Sequence, residues 1–429
     1  MRFVFSLLLI FCAGRGLSQL TLDSAIAIAL KNSPTLAIVR NNISVAGINN
    51  NYGIAGGYPL VQGTSNVTQQ STSLTQQYSN PANNKSSTNA SSNNIAAGVA
   101  ASVPVYRGGY ISNEKKRLGV VESQVKLQYS SRSQALIYNV MVKYYDIVRQ
   151  QGYAKTLEAT IKASEQRLTI VKQQQAVGLA NDADLFQSQV DLNTQLQNLE
   201  AQQLVVEQGK SDLLTLMILN PDSAIVVKDT IIVDRDIKLD SILAAAYVNP
   251  DIQSAYEQIR IFQYLEKEAG SYRYPSASVN AGYNFSHTSN PQGFNILNQA
   301  YGPYLGLGLT IPIFNGGIYK KQERIAGINV NSARLQRDTL IQNVRSTAVK
   351  NWQAYLSNLK QLETAKKTYD LSQKLLNLVL MRFQYKVATI VEVTLAQQSF
   401  EAAGYQLVNV SFAAKSAEIL LRRLANQLP

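Results

Sequence analysis

His287 is the only histidine and Cys12 the only cysteine in the chain. Acid–base catalysis, nucleophilic catalysis and side-chain metal binding each need a constellation of such groups, and a single histidine supplies none. His287 falls at the end of a predicted strand, where a polar loop residue is expected. The carboxylates nearest to a chemical pair are Asp182 and Asp184, with Glu392 equivalent to Asp184 at an offset of 208 residues. Helix starts account for them without proton transfer. Thr389-x-x-Glu392 is a capping box and Asn181-x-x-Asp184 a close analogue, and carboxylates in a first turn complement the helix dipole. There is no Gly-rich phosphate loop and no Met- or His-rich ligand set. The residues predict no enzyme, no cofactor and no metal site.

At the N-terminus, Arg2 precedes the apolar run Phe3 to Ala13, then small and polar residues ending Leu17-Ser18-Gln19. The run is too short for a membrane span and has the order of a cleaved export signal, so residues 1–19 are read as that signal. Its removal takes Cys12 with it and leaves no thiol chemistry. Lipid attachment at Cys12 is the alternative; Phe11 stands where a small residue is usual. Beyond the signal no run of eighteen or more apolar residues occurs, so any membrane-spanning part must be a closed β-barrel. The formal charge is +12, or +10 without Arg2 and Arg15. Its Lys and Arg are scattered, as on solvated helix faces, and predict no nucleic-acid partner.

The chain repeats itself. Val103-Pro104-Val105-Tyr106-Arg107-Gly108-Gly109 recurs as Ile311-Pro312-Ile313-Phe314-Asn315-Gly316-Gly317, offset by 208. Ser33-Pro34 and Tyr58-Pro59 recur as Asn249-Pro250 and Tyr274-Pro275, offset by 216. The first copy carries eight more residues between its strands, within the Gln/Ser/Asn-rich stretch Gln69 to Asn94, which is expected to be a solvated loop. Each copy reads as helix, strand, loop, strand, very long helix, tight turn, helix. The first repeat is placed at 20–218 with a hairpin over 58–106, and the second at 238–429 with a hairpin over 274–314. Residues 219–237 link them, with a short β element in Ala224 to Val233, around Lys228-Asp229-Thr230.

Alternation marks the strands. Ala277, Val279, Ala281, Tyr283 and Phe285 share one face; so do Leu305, Leu307, Leu309, Ile311 and Ile313, and again Ile95 through Val105 by twos. The opposite faces are small and uncharged, as lumen-facing positions are, and the apolar faces suit outer-membrane lipid. A soluble sheet with one buried face is the alternative. The first strand, near Leu60 to Thr68, alternates poorly. Four strands cannot enclose a channel and eight would be filled by side chains; three protomers giving twelve is the smallest number that leaves a conduit.

Between Gly109 and Gly178, and between Gly317 and Lys386, there is no proline. A helix of this length spans roughly 100 Å. Apolar residues return at helical spacing, as in Leu157, Ile161, Leu168 and Val171, or Leu371, Leu375 and Val379. Leu185, Leu192, Leu196, Leu199 and Val206 fall on heptad seam positions, with Gln189 and Gln203 completing the seam.

The sequence resembles the TolC-like outer-membrane efflux family over nearly all of the chain after the signal. The resemblance rests on Leu20-Thr21-Leu22-Asp23-Ser24-Ala25 through Asn32-Ser33-Pro34, on the Pro-x-aromatic-x-Gly-Gly motif at the end of each second strand, and on the turns. The family's turn pattern appears as Arg382-Phe383-Gln384-Tyr385-Lys386-Val387-Ala388-Thr389 with Glu392 and Val393, and as Gln174 through Gly178-Leu179-Ala180-Asn181 with Asp184 and Leu185. It implies an α+β membrane protein with an internal twofold repeat. A homotrimer would combine a transmembrane β-barrel of four strands per protomer with a long α-helical coiled-coil barrel in the periplasm. It also implies an exit duct in a tripartite efflux pump or type I secretion system, partnered by a periplasmic adaptor and an inner-membrane transporter. Gly178, Leu179, Ala180, Lys386, Val387 and Ala388 would form docking tips for the adaptor. Asp184 and Glu392 would line a periplasmic gate as cation-attracting rings, or serve only as caps. Pro104, Gly108, Gly109, Pro312, Gly316 and Gly317 would turn strand into helix. Lys386 departs from the family's glycine. Leu395 and Gln187 stand where a further acidic position is usual. The competing reading is a periplasmic structural coiled coil without a pore.

Overall fold

The computed structural model describes residues 18–291 and 296–429. The expected export signal, with Cys12, lies outside the described residues apart from Ser18 and Gln19. The chain forms two compact units. One comprises residues 18–40, 127–253 and 339–429 and is helical; the other comprises 41–126 and 254–338 and holds the main sheet.

In the helical unit, α1 (Leu22–Asn32) starts at a Thr21–Ser24 capping box and runs into α2 (Pro34–Asn49). The repeated Ser33-Pro34 and Asn249-Pro250 pairs are helix starts. Ser33 Oγ accepts from Leu36 N at 3.3 Å and Asn249 Oδ1 from Asp251 N at 2.9 Å, with proline in the first turn, where its missing N–H costs nothing. The 67-residue helix α3 (Tyr110–Ala176) contributes to both units, as does its repeat α7 (Ile318–Gln384), also 67 residues. Each is followed by a 35-residue helix, α4 (Asp182–Leu216) or α8 (Ile390–Leu424). One core packs Ala25 and Ala29 of α1 on Val140, Tyr144 and Ile147 of α3, Leu213 of α4 and Ile419 of α8. A second, toward the helical turns, packs Val171, Leu376, Phe383, Val393 and Phe400. Glycine brings helices close: a Cβ at Gly152 of α3 would stand 2.9 Å from Val408 of α8. No helix among the described residues is long and apolar enough to cross a membrane.

Of the heptad positions expected on α4, Leu185, Leu192 and Leu199 are partly buried and Val206 is buried. Leu196 is exposed, and the buried positions of α4 are Ser188, Gln202, Val206, Leu213 and Leu214. Small and polar side chains fill much of the contact: Gln202 donates to the Gln150 carbonyl at 3.0 Å, and Gln397 donates to Ser164 Oγ at 3.0 Å. Along α7 the expected Val379 is buried, together with Leu376, whereas Leu371 and Leu375 are exposed.

The short β element expected in Ala224 to Val233 is present, but it lies ahead of Lys228. A two-residue strand β4 (Ile225–Val226) pairs in parallel with β1 (Ser18–Gln19), and irregular chain follows. Asp229 accepts from the Thr230 N–H at 2.7 Å, a local bond that competes with a ladder. Farther on, Tyr355 donates its hydroxyl to the Asp234 carbonyl, Arg422 pairs with Asp234 at 2.8 Å, and buried Glu418 accepts the Asp234 N–H at 3.0 Å. α5 (Leu239–Ala246) and α6 (Pro250–Ser271) complete the helices.

The sheet unit holds β2 (Leu60–Gln76), β3 (Lys85–Arg107), β5 (Ser276–Ser289) and β6 (Leu297–Thr310) in the antiparallel order β2-β3-β5-β6. The register aligns the apolar faces into rows. Val103 opposes Val279, which opposes Leu307; Ala101, Ala281 and Leu305 form the next row, and Ala97, Phe285 and Tyr301 another. The opposite face carries Ser102, Asn280 and Gly306, with Ser102 Oγ 2.7 Å from Asn280 Oδ1.

The structure corrects three details. Alternation through Val105 breaks because the register shifts between Pro104 and Tyr106, a bulge at a proline that cannot donate to the ladder. Ile311 and Ile313 lie beyond the end of β6 and are exposed. The stretch Gln69 to Asn94 is mostly paired strand, not loop: Gln69 to Gln76 of β2 lie opposite Asn93 to Lys85 of β3, with a second bulge near Asn89, whose φ is +59°. Thr and Ser supply β-compatible backbone there without an apolar face. This part of the hairpin continues past Asn93, the last residue that β3 pairs with β5.

Candidate docking tips and gate

Both helical turns close by the same backbone device. At the first, Leu179 N donates to Gln174 O at 2.7 Å and Gly178 N to Gln175 O at 2.9 Å. At the second, Val387 N donates to Arg382 O at 2.8 Å and Lys386 N to Phe383 O at 3.1 Å. This paired bonding is a Schellman motif, which requires a left-handed residue at its penultimate position. Gly178 has φ +75° there, and Lys386 has φ +64°. A side chain in that region costs about 1–2 kcal/mol. The lysine has a use that glycine lacks: its Nζ donates to the carbonyl of Leu179, joining one turn to the other. Arg382 donates to the Val387 carbonyl at 3.2 Å. Apolar side chains crowd both turns in exposed positions, among them Val177, Leu179, Tyr385 and Val387. Ala180 and Ala388 are partly buried against the second core.

The expected acidic residues cap the returning helices. Asp184 N donates to Asn181 Oδ1 at 2.8 Å, and Asn181 N returns a bond to Asp184 Oδ2 at 3.4 Å. Glu392 N donates to Thr389 Oγ1 at 3.2 Å, and Thr389 N to Glu392 Oε2 at 2.6 Å. The Thr389 N–H, and then its hydroxyl, hold the Glu392 carboxyl below its ordinary range.

The residue that joins the hairpins deeper in was not apparent beforehand. Arg167 of α3 has no side-chain exposure. It donates from Nη1 to Thr394 Oγ1 on α8 at 2.7 Å and from Nη2 to Asp191 Oδ2 on α4 at 2.6 Å. Its Nε, also buried, has no partner among the described residues. Asp191 is oriented by Gln187, whose Nε2 donates to Oδ1 at 2.7 Å. Position 167 adjoins the stripe Leu157, Ile161, Leu168 and Val171, and a charge against that stripe was the available signal. Its partners lie 24 and 227 residues away.

The strand-to-helix residues fall in the sheet unit. Pro104 is at the β3 bulge, and Pro312 follows β6. Gly108, Gly109, Gly316 and Gly317 all have positive φ, between 58° and 82°. Gly109 and Gly317 begin α3 and α7, their carbonyls accepting from Asn113 N and Lys321 N at 3.1 Å each. Gly108 meets a second constraint, because a Cβ there would collide with the Ser271 carbonyl oxygen and stand 2.8 Å from Tyr274 Cβ. Among the described residues no cluster of three or more His, Cys, Asp or Glu could hold a metal.

Paired strands with one apolar face thus stand beside very long helical hairpins that end in capped turns. The sequence profile of the family described as "Outer membrane efflux protein" matches residues 25–217 and 243–427. The chain belongs to that family. It is 24% identical to outer membrane protein TolC of Vibrio cholerae over 64% of this chain and 63% of that protein. It is 22% identical to toxin and drug export protein A of Aggregatibacter actinomycetemcomitans over 60% of this chain and 56% of that one. The chain thus spans about three fifths of the length of the curated relatives it matches. Among solved structures it shares its fold with VceC of Vibrio cholerae, at a TM-score of 0.76 and 16% identity, covering 94% of this chain and 96% of that one. It likewise matches CusC, at 0.76 and 19%, covering 96% and 95%.

Proposed function

We propose that three copies of this chain form an exit duct. Each copy contributes four strands to a twelve-stranded barrel in the outer membrane, and its helical hairpins form a tunnel in the periplasm. The observation that carries this reading is the open sheet. Among the described residues β2 and β6 each pair with one neighbour, on opposite edges of a sheet whose apolar rows run across β3, β5 and β6. Lipid offers no partner for an unpaired edge, so closure has to come from further copies, and twelve strands leave a pore where eight would not.

In this duct the two repeats, placed at 20–218 and 238–429, supply equivalent hairpins. The turns at Gly178-Leu179-Ala180 and Lys386-Val387-Ala388 dock a periplasmic adaptor, which couples the duct to an inner-membrane transporter. The exposed Leu179 and Val387 side chains support docking. Asp184 and Glu392 form rings at the periplasmic entrance and cap their helices as well. The name of the Aggregatibacter relative mentions toxin and drug export, which makes toxins and drugs the first cargoes to test.

Purified from outer membranes, the protein should run as a heat-modifiable trimer and conduct ions in planar bilayers. The pair Asp184→Ala and Glu392→Ala should raise conductance or shift cation selectivity. A soluble, elongated species without current would refute the duct; an unchanged bilayer record would remove the gate alone.

A further inference from the structure

Two buried glutamates and one partly buried arginine lie together in the sheet unit, and the duct reading makes no use of them. Glu114 and Arg117 lie one turn apart near the start of α3, and Glu268 lies in the last turn of α6. Arg117 donates from Nη2 to Glu114 Oε1 at 2.5 Å and from Nε to Glu268 Oε1 at 2.9 Å. Glu114 is 8% exposed and Glu268 5%. One guanidinium therefore faces two carboxylates, and full ionisation would leave an unbalanced negative charge away from water. The second oxygen of Glu114, Oε2, is buried and has no donor among the described residues. A single proton on Glu268 answers both problems. It removes the excess charge and supplies the O–H that Glu114 Oε2 lacks.

We propose that Glu114, Arg117 and Glu268 form a proton-binding site in which the two carboxylates share one proton. Burial pushes the Glu268 carboxyl up to about 7; Arg117 opposes the shift and Glu114 adds to it. Burial, followed by the Glu114 charge, also raises the Tyr110 phenol. The remaining ionisable groups nearby are accounted for. The Tyr272 ring lies 5.6 Å from that of Tyr110, and Tyr319 of α7 stacks on it at 5.8 Å. Glu323 of α7, beside Gly270, is paired by Arg273 at 2.7 Å. Arg107 lies over the Tyr110 ring at 4.8 Å, and Lys115 is turned to Asn50 Oδ1 at 2.6 Å.

The site acts on two corners of the chain. Glu114 belongs to the helix that leaves β3 and Glu268 to the helix that feeds β5, and these corners meet where Gly108 packs on Ser271. Because the folded carboxyl binds its proton more tightly than an unfolded one, its stabilisation is complete below about pH 4.5, the ordinary glutamate value. It is lost as pH rises through about 7.

The test uses the full-length protein in detergent with 13C-labelled glutamate. Infrared difference spectra should show one buried, protonated carboxyl titrating near neutral pH and absent from Glu268→Gln. The glutamine keeps a donor for Glu114 without the charge. Corrected amide exchange in residues 110–118 and 264–271 should therefore speed up tenfold to a hundredfold, as an order of magnitude, between pH 5 and pH 8 in the native protein. In the variant it should stay level. A native spectrum with no carboxyl titrating above pH 6 would overturn the proposal whatever the variant does. So would protection at pH 8 that calcium restores, since the carboxylates would then be holding a cation.

Discussion

Removing the Asp191 carboxylate should damage the helical unit more than removing the arginine it pairs with. In Asp191→Ala the Arg167 guanidinium stays in a space with no side-chain exposure, held only by Thr394 Oγ1. Leaving one member of a buried pair uncompensated costs about 3–5 kcal/mol. In Arg167→Met most of the side-chain volume remains and the charge is gone. Asp191, its side chain 25% exposed, still accepts from Gln187 and reaches water, so the loss is about 1–2 kcal/mol of hydrogen bonding. The double variant should resemble Arg167→Met, because it strands no charge. Amide exchange by mass spectrometry, followed over 160–170 and 188–195, reads this locally without requiring reversible unfolding. A cost of 3 kcal/mol corresponds to roughly a hundredfold faster exchange. Equal effects of the two single variants, or a double variant worse than Asp191→Ala, would refute the account of a buried charge held by its partners.

Lys386→Gly should slow exchange of the Val387 amide. Relief of a left-handed side chain, about 1 kcal/mol or more, outweighs one exposed hydrogen bond at about 0.5 kcal/mol, although the tie to Leu179 is lost. The cap at Thr389 should weaken in acid. The depressed Glu392 carboxyl stabilises above its ordinary value near 4.5, and that contribution disappears as pH falls through the lower folded value; NMR titration of its side chain would show the midpoint. Gly108→Ala should abolish assembly or leave a protease-sensitive product, since it adds both a left-handed side chain and a collision with Ser271. Limited proteolysis against a Gly316→Ala control, whose φ is also positive but where nothing lies within 4 Å of the added Cβ, separates the two effects.

Periodicity and repetition made much of this architecture legible. Leu305, Leu307 and Leu309 alternate with small residues, and a strand with one apolar face is the simplest backbone that sorts them. The matched motifs at Gly109 and Gly317, and at Gly178 and Lys386, located the ends of both long helices, because capped ends leave local marks. Contacts between distant segments left no such marks. Arg167 meets Thr394 across 227 residues. The α4 contact includes Ser188 and Gln202 beside Val206, polar or small types that a hydrophobic count passes over in favour of Leu196. The polar half of the first hairpin read as loop because its backbone bonds run to a partner strand, whereas its Thr, Ser and Asn side chains resemble those of unstructured chain.

The unlike residues at the two turns have a consequence for stoichiometry. Were Gly178 and Lys386 the same, a ring of three such chains would offer six interchangeable seats. With glycine in one repeat and a bridging lysine in the other, the seats of the proposed ring would alternate between two kinds. Duplication inside one polypeptide has let the halves diverge, so that in the proposed trimer a visitor contacting neighbouring turns would find three identical composite addresses, each read in a single direction around the ring.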